Sequence, residues 1–469
     1  MRLAIHLLLF AVGPFLHAAE KPNILFLLAD DQCYETIAAL GHTDIETPNL
    51  DRLVQRGTTF THAYNMGSWS GAVCVASRTM LITGRTVWRA NTVYNETDKE
   101  REAGRLWPQR MARAGYETYF TGKWHIQTDA AKCFDHSAHI RAGMPKDTPE
   151  AYNRPLAGQP DPWSPSDPDF GGFWQGGKHW SEVVGDDAVG FLGQAAKYQK
   201  PFFMYLAFNA PHDPRQSPQE YVDKYPLERI AIPENFLPEY PHKDAIGCGS
   251  GLRDEKLAPF PRDEHAVKVH RQEYYAIITH MDAQIGRILD ALEKSGEAEN
   301  TWIFFTADHG LAVGHHGLMG KQNLYDHSLR VPFIVNGPRV KAGEKVDEPI
   351  YLQSAMATAL DLAGADREGV EFQSVRPLLE GKGTGLESVY GAYLDLQRAV
   401  IDDGWKLILY PKAKVARLYH VANDPLEMRD LAGDPAQTDR KKALFTRLLE
   451  LQNELGDPLD VAAVYQEWK

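Results

Sequence analysis

The chain has 469 residues, of which 43% are hydrophobic, and its 50 basic and 63 acidic side chains give a formal net charge of −13. This length and apolar content can bury a sizeable core and allow either two domains or one large domain with an appendage. The acidic balance argues against a nucleic-acid partner.

Cysteine is rare in this sequence. The four cysteines are Cys33, Cys74, Cys133 and Cys248. They are too few for a disulfide scaffold, and no C-x-x-C pair occurs, which argues against structural zinc and thioredoxin-like chemistry.

The first 19 residues have the pattern of a secretory signal. Arg2 precedes a Leu-rich run, Gly13 and Pro14 break it, and small residues follow at Ala18 and Ala19. We therefore expect a cleaved signal peptide over residues 1–19 and a secreted or periplasmic protein, with a buried first helix as the alternative. No other stretch is long and apolar enough to predict a membrane span.

Apolar runs typical of buried strands alternate with helical patterns from residue 23 to about 362. Strands are predicted at 23–29, 116–121, 201–209, 302–306 and 331–335. Helices are predicted from Pro48 to near Gly57 and at 75–82, 106–114, 181–196, 269–294 and 353–362. This alternation predicts an α/β fold with a mixed, mostly parallel, doubly wound sheet.

Two further regions differ from this pattern in composition or in the length of their predicted elements. Residues 126 to about 180 are rich in Pro, Gly and Asp and contain Trp163, Trp174 and Trp180, which predicts a long loop over the functional site. From about residue 385, short strand patterns precede a helix at 441–455, which predicts a smaller antiparallel α+β subdomain. The expected organisation is therefore a catalytic domain at 20–384 and this subdomain at 385–469.

Four of the predicted strands end in residues that can do chemistry. These ends are Asp30-Asp31, Lys123-x-His125, His212 and Asp308-His309. In open α/β sheets, ligands bind outside the carboxyl ends of the strands, so we expect these side chains to converge. Each one alone would more often be a cap or a satisfied core group.

The convergence implies a metal ion. Asp30, Asp31 and Asp308 would raise one another's pKa if they met without a partner, and a hard divalent cation resolves that conflict. A set of oxygen ligands suits Ca²⁺ or Mg²⁺.

The most specific pattern is the run from Cys74 to Arg85, which reads C-x-A-S-R followed by L-x-T-G-R. A helix here places Cys74 at its N-terminus, where free N–H groups favour an anion, although a lone Cys is more often a buried structural residue. The run closely resembles the signature of the type I (formylglycine-dependent) sulfatases of the alkaline-phosphatase-like superfamily. Their C-x-P-S-R cysteine is oxidised to formylglycine, whose hydrate is the nucleophile. Ala76 stands where Pro is usual, and the family pattern tolerates this variant.

The resemblance implies a Ca²⁺ site and a maturation partner. Asp30, Asp31, Asp308 and the residue after it would hold Ca²⁺ together with the formylglycine made from Cys74. That fourth protein ligand is often Asn, whereas here it is His309, a softer nitrogen donor. A formylglycine-generating enzyme or an anaerobic sulfatase-maturating enzyme would perform the oxidation.

The resemblance also assigns a basic set. Arg78 would orient the hydrated aldehyde, and Lys123 and Lys321 would hold the sulfate oxygens. His212 would donate a proton to the leaving alcohol, and His125 would be the base that helps to collapse the intermediate. Protonation of the bridging oxygen assists departure of a poor leaving group.

A secreted protein with a Trp-bearing loop suggests a sulfated carbohydrate as substrate. Asp135, His136 and Arg215 follow predicted strand ends and could contact sugar hydroxyls or a second anionic group. Two other functions remain open: hydrolysis of phosphate or phosphonate esters by the same fold, and glycan binding by an unmodified, non-catalytic sulfatase homologue. Cys74 within C-x-A-S-R favours the sulfatase, since a phosphatase needs only Ser or Thr.

Overall fold

The computed structural model of this protein describes residues 21–41, 44–143 and 148–468, so the predicted signal peptide at 1–19 lies outside the described residues. In chain order the strands are β1 (Asn23–Ala29), β2 (Thr58–Phe60), β3 (Ala63–Tyr64), β4 (Gly67–Ser68), β5 (Glu117–Lys123), β6 (His136–Arg141), β7 (Trp174–Gln175), β8 (Lys178–His179), β9 (Phe202–Ala207), β10 (Thr301–Ala307), β11 (Arg330–Val331), β12 (Phe333–Asn336), β13 (Glu344–Val346), β14 (Ile350–Tyr351), β15 (Ser388–Tyr393), β16 (Gln397–Asp402), β17 (Trp405–Tyr410) and β18 (Val415–Tyr419).

The α-helices, again in chain order, are α1 (Pro48–Arg56), α2 (Val73–Thr83), α3 (Val87–Val93), α4 (Thr97–Glu102), α5 (Trp107–Arg113), α6 (Trp180–Ala195), α7 (Gln219–Val222), α8 (Glu264–Ser295), α9 (Asp326–Leu329), α10 (Ser354–Ala363), α11 (Arg376–Leu379) and α12 (Thr438–Leu455). Each predicted helix is present within a few residues of its expected bounds. None of the helices in the described part of the chain is both long and apolar enough to cross a membrane.

The main sheet has eight strands in the order β13-β2-β12-β10-β1-β9-β5-β6. The run from β10 to β6 is parallel, and β12 pairs antiparallel with β10. The predicted mixed, mostly parallel α/β sheet is therefore confirmed. β1 is buried along its whole length, as expected for a strand covered on both faces of a parallel sheet.

Helices cover the sheet in two contact groups. One group contains α1, α6, α7 and α8, and the other contains α2, α5 and α10. Trp107 of α5 anchors the second group, because its buried ring lies 5.0 Å from Phe26 of β1 and 4.9 Å from Phe203 of β9. Aromatic contacts of this kind fix the helix layer to the strands that carry the site residues.

A second sheet lies at the C-terminal end, in the order β18-β17-β16-β15-β4. The predicted turn at Asp403 and Gly404 is present, and both residues have the positive φ (47° and 73°) of a tight hairpin. β4 joins from the segment just before the nucleophile candidate, and a Cβ on Gly67 (φ 89°) would lie 1.8 Å from the Ala392 carbonyl oxygen. The second sheet therefore supports that segment directly, while the domain boundary at 385 stays a prediction.

The region from 126 to 180 differs from the expected open loop. It contributes β6, an edge strand of the main sheet, and the β7–β8 hairpin. Trp163 is 5% exposed and stacks on Phe170, and Trp180 is 9% exposed beneath Arg141. These two Trp residues pack in the interior, so neither offers an open face on which a sugar could stack.

The junction between α1 and α8 offers a direct test of the fold. Asp282 of α8 is buried, and its carboxylate accepts from the backbone N–H groups of Asn49 (3.1 Å) and Leu50 (2.7 Å) at the start of α1. We expect Asp282→Ala to lower the free energy of unfolding in urea by about 2 kcal/mol, because it leaves buried helix-terminal donors unpaired. Asp290→Ala on the same helix breaks only an exposed pair with Arg52 and should cost less than about 1 kcal/mol. Equal costs would contradict this assignment.

Candidate active site

The carboxyl ends of four adjacent parallel strands lie at the same edge of the main sheet. In the order β10, β1, β9 and β5, these ends lead into Asp308, Asp30-Asp31, the segment ending at His212, and Lys123. The expected convergence is confirmed, because carboxylates, cationic groups and an imidazole meet at the same edge of the sheet. All of these side chains are at most 2% exposed.

Helix α2 brings Cys74 to this edge. Cys74 is the second residue of the helix, as expected, and Gly84 ends the helix in the left-handed conformation (φ 72°). Arg78 lies one turn after Cys74, and residues four apart share a helix face. All eleven residues of α2 are buried, so the nucleophile candidate is held by a fully packed element.

The Cys74 thiol contacts both acid and base. Its Sγ lies 3.2 Å from Asp30 Oδ1 and 3.5 Å from Asp31 Oδ1, and Lys321 Nζ lies 3.1 Å from the sulfur. Burial raises the pKa of Cys74 well above its ordinary value, and the nearby Asp30 carboxylate raises it further. The raised pKa favours the thiol form of the unmodified residue, which donates to the carboxylates. The unmodified Cys74 is therefore not activated as a nucleophile, because a reactive cysteine needs a depressed pKa.

Three cationic side chains neutralise the three carboxylates. Lys123 Nζ pairs with Asp30, Lys321 Nζ lies 2.5 Å from Asp31 Oδ2, and Arg78 Nε lies 2.8 Å from Asp308 Oδ2. Burial raises the pKa of Asp30 and Asp31, whereas Arg78 and then Lys123 outweigh burial and hold the pKa of Asp308 below its ordinary value.

Arg78 also fixes the neighbouring strand end. Its Nη1 donates to the carbonyl oxygen of Lys123 at 2.6 Å. One guanidinium thus joins α2, β5 and the loop after β10, and the planar fork of Arg suits this role better than a Lys ammonium.

Burial disfavours the charged form of His212 and His125. His212 Nδ1 donates to the Asp213 carbonyl at 2.7 Å, which leaves Nε2 as an acceptor 2.8 Å from Lys321 Nζ. Burial and then Lys321 lower the pKa of His212 well below its usual value. His125 has a positive φ of 58°, and burial, with Lys123, lowers its pKa to about 2.

The residues of this site fit a divalent cation. Ligand atoms of Asp30, Asp31, Cys74 and His212 all lie within 4.8 Å of one another, and all four residues are buried. Fully buried carboxylate oxygens are what a hard cation prefers, and such a cation would relieve the repulsion between Asp30 and Asp31.

The other two predicted ligands lie beside that group rather than within it. Asp308 Oδ1 accepts from the Asp31 N–H at 3.1 Å, and Oδ2 accepts from Arg78. His309 Nδ1 bonds to the Gly310 carbonyl at 3.0 Å, and burial lowers the pKa of His309 to about 4. Ligation by Asp308 and His309 stays a prediction.

Two of the three predicted sugar-binding residues, Asp135 and His136, lie away from this cavity. Asp135 accepts from the N–H of Thr118, near the amino end of β5, and His136 pairs with Glu117 there. Because β5 and β6 are parallel, residues just before β6 lie at the edge opposite the site. The expectation that Asp135 and His136 face a substrate is therefore wrong. Arg215 is 1% exposed and lies with its guanidinium 5.3 Å above the Tyr274 ring, and its contact with a substrate stays a prediction.

Several polar residues beside the site escaped the sequence analysis. Arg253 and Asp254 lie in the irregular Pro-rich region, and Asp213 and Gln322 directly follow His212 and Lys321. Asp213 and Gln322 could have been found only because each follows a candidate residue in the sequence. Arg253 and Asp254 belong to no periodic pattern that would mark them.

Comparison with known proteins decides the family. A family model described as Sulfatase matches residues 22–365, which is most of the chain. The chain belongs to the sulfatase family. A second model, described as N-sulphoglucosamine sulphohydrolase, C-terminal, matches residues 314–454. The protein is accordingly a sulfuric ester hydrolase, and its predicted family is confirmed.

One relative of this sulfatase is distant in sequence but aligns over nearly the whole chain. The N-acetylglucosamine-6-O-sulfatase of Bacteroides thetaiotaomicron is 24% identical over 525 aligned residues, covering 95% of this chain and 88% of the relative.

Two solved structures share the fold. One is a protein in complex with its substrate D-glucosamine-2-N,6-O-disulfate (TM-score 0.71, 22% identity, 94% of this chain and 99% of that chain). The other is the phosphonate monoester hydrolase of Agrobacterium radiobacter (TM-score 0.71, 19% identity, 92% and 96%). The alkaline-phosphatase-like fold is therefore confirmed.

Proposed function

We propose that this protein is a secreted or periplasmic sulfatase that removes sulfate esters from a carbohydrate, using a formylglycine made from Cys74 and a bound Ca²⁺ ion. The observation that carries the proposal is the position of Cys74: it begins a buried helix and faces Asp30, Asp31 and Lys321. A formylglycine-generating enzyme or an anaerobic sulfatase-maturating enzyme is its expected partner.

Two similarities support a sugar sulfate as substrate. A relative that aligns over nearly the whole chain is an N-acetylglucosamine-6-O-sulfatase, and one protein of the same fold was solved with a glucosamine disulfate. The fold also hosts phosphonate monoester hydrolysis. Cys74 favours the sulfatase over a phosphatase, which needs only Ser or Thr as its nucleophile. The choice between sulfate and phosphonate esters rests on a direct comparison of the two as substrates.

The cationic side chains bind and orient the sulfate group. Lys123 pairs with Asp30, and Lys321 pairs with Asp31 and also contacts Cys74, so two ammonium groups lie at the carboxylates that face the nucleophile. Ammonium groups fixed in a buried, water-poor site stabilise negative charge on sulfate oxygens more strongly than in water. A formylglycine hydrate at Cys74 would supply the attacking oxygen, and Ca²⁺ held by the carboxylates would stabilise negative charge on oxygen.

His212 and His125 are the groups that transfer protons in the proposed reaction. His212 presents Nε2 to the cavity while its Nδ1–H is held by a backbone carbonyl. It can act as an acid only as the imidazolium, and the negative charge of a bound sulfate ester would favour that form, so that the proton on Nε2 passes to the leaving alcohol. His125 is neutral at physiological pH, as a base must be, and its buried Nδ1 has no hydrogen-bond partner among the described residues. We propose that His212 is the acid and His125 the base.

Released sulfate is the direct measure of this function. Protein co-expressed with a maturating enzyme should hydrolyse 4-nitrophenyl sulfate and, with higher kcat/KM, a member of a panel of sulfated monosaccharides. Under the same conditions, 4-nitrophenyl phosphate and phenyl phosphonate esters should be poor substrates. A preference for the phosphorus esters would overturn the assignment, and binding of sulfated sugars without hydrolysis would support the non-catalytic homologue instead.

Metal removal should change stability as well as activity. We expect chelator-treated protein to gain roughly 5 °C in Tm when Ca²⁺ is restored in large excess, because a ligand at about 1,000 times its Kd adds about 4 kcal/mol. Asp31→Asn should abolish this gain, and Asp290→Asn, a change at an exposed carboxylate on α8, should retain it. A Tm that does not respond to Ca²⁺ in the wild-type protein would contradict the predicted ion.

A further inference from the structure

A chain of polar side chains forms one wall of the cavity and has no role in the proposed reaction. Gln322 directly follows Lys321, and its side-chain amide bridges two segments: Nε2 lies 3.2 Å from the Gly71 carbonyl and 2.7 Å from Asp254 Oδ2. Gly71 is exposed and precedes the helix of Cys74. The wall therefore runs from the rim beside the nucleophile into the Pro-rich segment.

Arg253 occupies the outer part of this wall. Its Nε and Nη2 lie 2.8 and 2.5 Å from Asp254 Oδ1, and Nη2 also lies 3.3 Å from Asp213 Oδ2. The Arg253 side chain is 30% exposed, whereas both carboxylates are at most 3% exposed. The guanidinium is thus held by buried acids, while about a third of the side chain is open to solvent.

The wall also reaches the proposed proton donor. Asp213 Oδ1 lies 3.4 Å from His212 Nδ1, so Arg253 is separated from His212 by a single carboxylate. Both Asp213 oxygens are buried without a hydrogen-bond partner in the described part of the chain. Asp213 and Arg253 lie on the Nδ1 side of the imidazole, whereas the leaving oxygen meets Nε2, so Arg253 can reach only a more distant part of the leaving sugar and not the bridging oxygen.

We propose that Arg253 is a specificity-determining residue that donates through Nη1 to a hydroxyl oxygen of the leaving sugar. This inference rests on the proposed function. The described residues supply no hydrogen-bond acceptor to Nη1, which leaves its two N–H groups for a ligand. Asp213 and Asp254 already balance the charge of Arg253, so this wall favours a neutral hydroxyl over a second sulfate, which would face two carboxylates.

The choice of Arg has a physical reason. A guanidinium can hold Asp254 with two of its nitrogens and still present the third in a fixed direction. A Lys ammonium could keep the ion pair with Asp254, but its single nitrogen would then lie at the carboxylate and no donor would stand at the position of Nη1. Arg253→Lys therefore separates the structural pair from the contact with the sugar.

The test compares substrates with and without sugar hydroxyls. For Arg253→Lys, we expect the ratio of kcat/KM for N-acetylglucosamine 6-sulfate or galactose 6-sulfate to that for 4-nitrophenyl sulfate to fall about tenfold, the equivalent of one hydrogen bond. Arg417→Lys is the matched control, because Arg417 has a similar exposure and pairs with Asp430 in the C-terminal sheet. It should leave both kcat/KM values unchanged.

A ratio that stays constant in Arg253→Lys would overturn the inference while leaving the proposed function intact. If the wild-type protein hydrolysed no sulfate ester, the proposed function would fail and this inference with it. A second measurement needs no variant: the wild-type protein should prefer glucosamine 6-sulfate to glucosamine 2-N,6-O-disulfate at low salt. The opposite preference would show that the wall binds a second anion and would overturn the assignment to a hydroxyl.

Discussion

Replacing Cys74 by Ala should abolish sulfate release, lowering kcat at least about 10⁴-fold, because the reaction then lacks its nucleophile. The loss should not come from unfolding. Cys74 packs within a fully buried helix and donates only weak bonds from sulfur, so Ala at this position removes one atom of side-chain volume and no obligatory partner. Initial rates on a sulfate ester, read beside a thermal unfolding curve, measure both effects.

Cys133→Ala is the matched control for this change. Cys133 is another buried, unpaired cysteine, and its Sγ contacts the Asp129 carbonyl at 3.4 Å. It lies outside the cluster of strand ends, so we expect its variant to keep wild-type kcat. Equal losses in the two variants would show that burial of a cysteine matters and that position 74 is not special.

Lys321→Met should lower kcat/KM roughly 100- to 1,000-fold, the usual effect of removing one fixed donor to developing negative charge. Lys321 Nζ contacts Asp31, Cys74 and His212 together. Met preserves much of the side-chain volume and removes only the charge and the donors. The ion pair with Asp31 is lost as well, so the Tm of the variant should fall unless a bound cation compensates for the carboxylate.

Lys345→Met tests whether any loss of positive charge has this effect. Lys345 is exposed on β13, at the far edge of the main sheet. We expect wild-type kcat/KM from this control. If Lys321→Met retained full activity on every substrate, Lys321 would have no place in sulfate binding, and the proposed cavity would need another cation.

The sequence predicted the centre of this molecule better than its periphery. The strands that lead to Asp30, His212 and Asp308 are buried, so β1, β9 and β10 read as largely apolar runs with a polar end, while β5 mixes apolar with small polar residues. Such runs define both the sheet and the edge where ligands collect, which is why the convergence of these residues followed from the pattern alone.

The predictions that failed, all away from the centre of the sheet, have one physical origin: a segment rich in polar residues can still form an ordered strand or loop. β6 reads HSAHIR and is half-exposed at the sheet edge, so no apolar run marks it. Without β6, nothing indicated that Asp135 and His136 return to the amino end of the sheet. Arg253 lies in a segment whose fold depends on contacts with Asp213 and Asp254, which no local pattern reveals.

The mass of one peptide tests the central claim most directly. Trypsin should release residues 57–78, which contain Cys74, from protein co-expressed with a maturating enzyme. In active preparations we expect this peptide to have lost the thiol sulfur and gained an aldehyde oxygen, and its modified fraction should rise in proportion to kcat across preparations. Full sulfatase activity from a peptide that carries only an intact thiol would contradict the account.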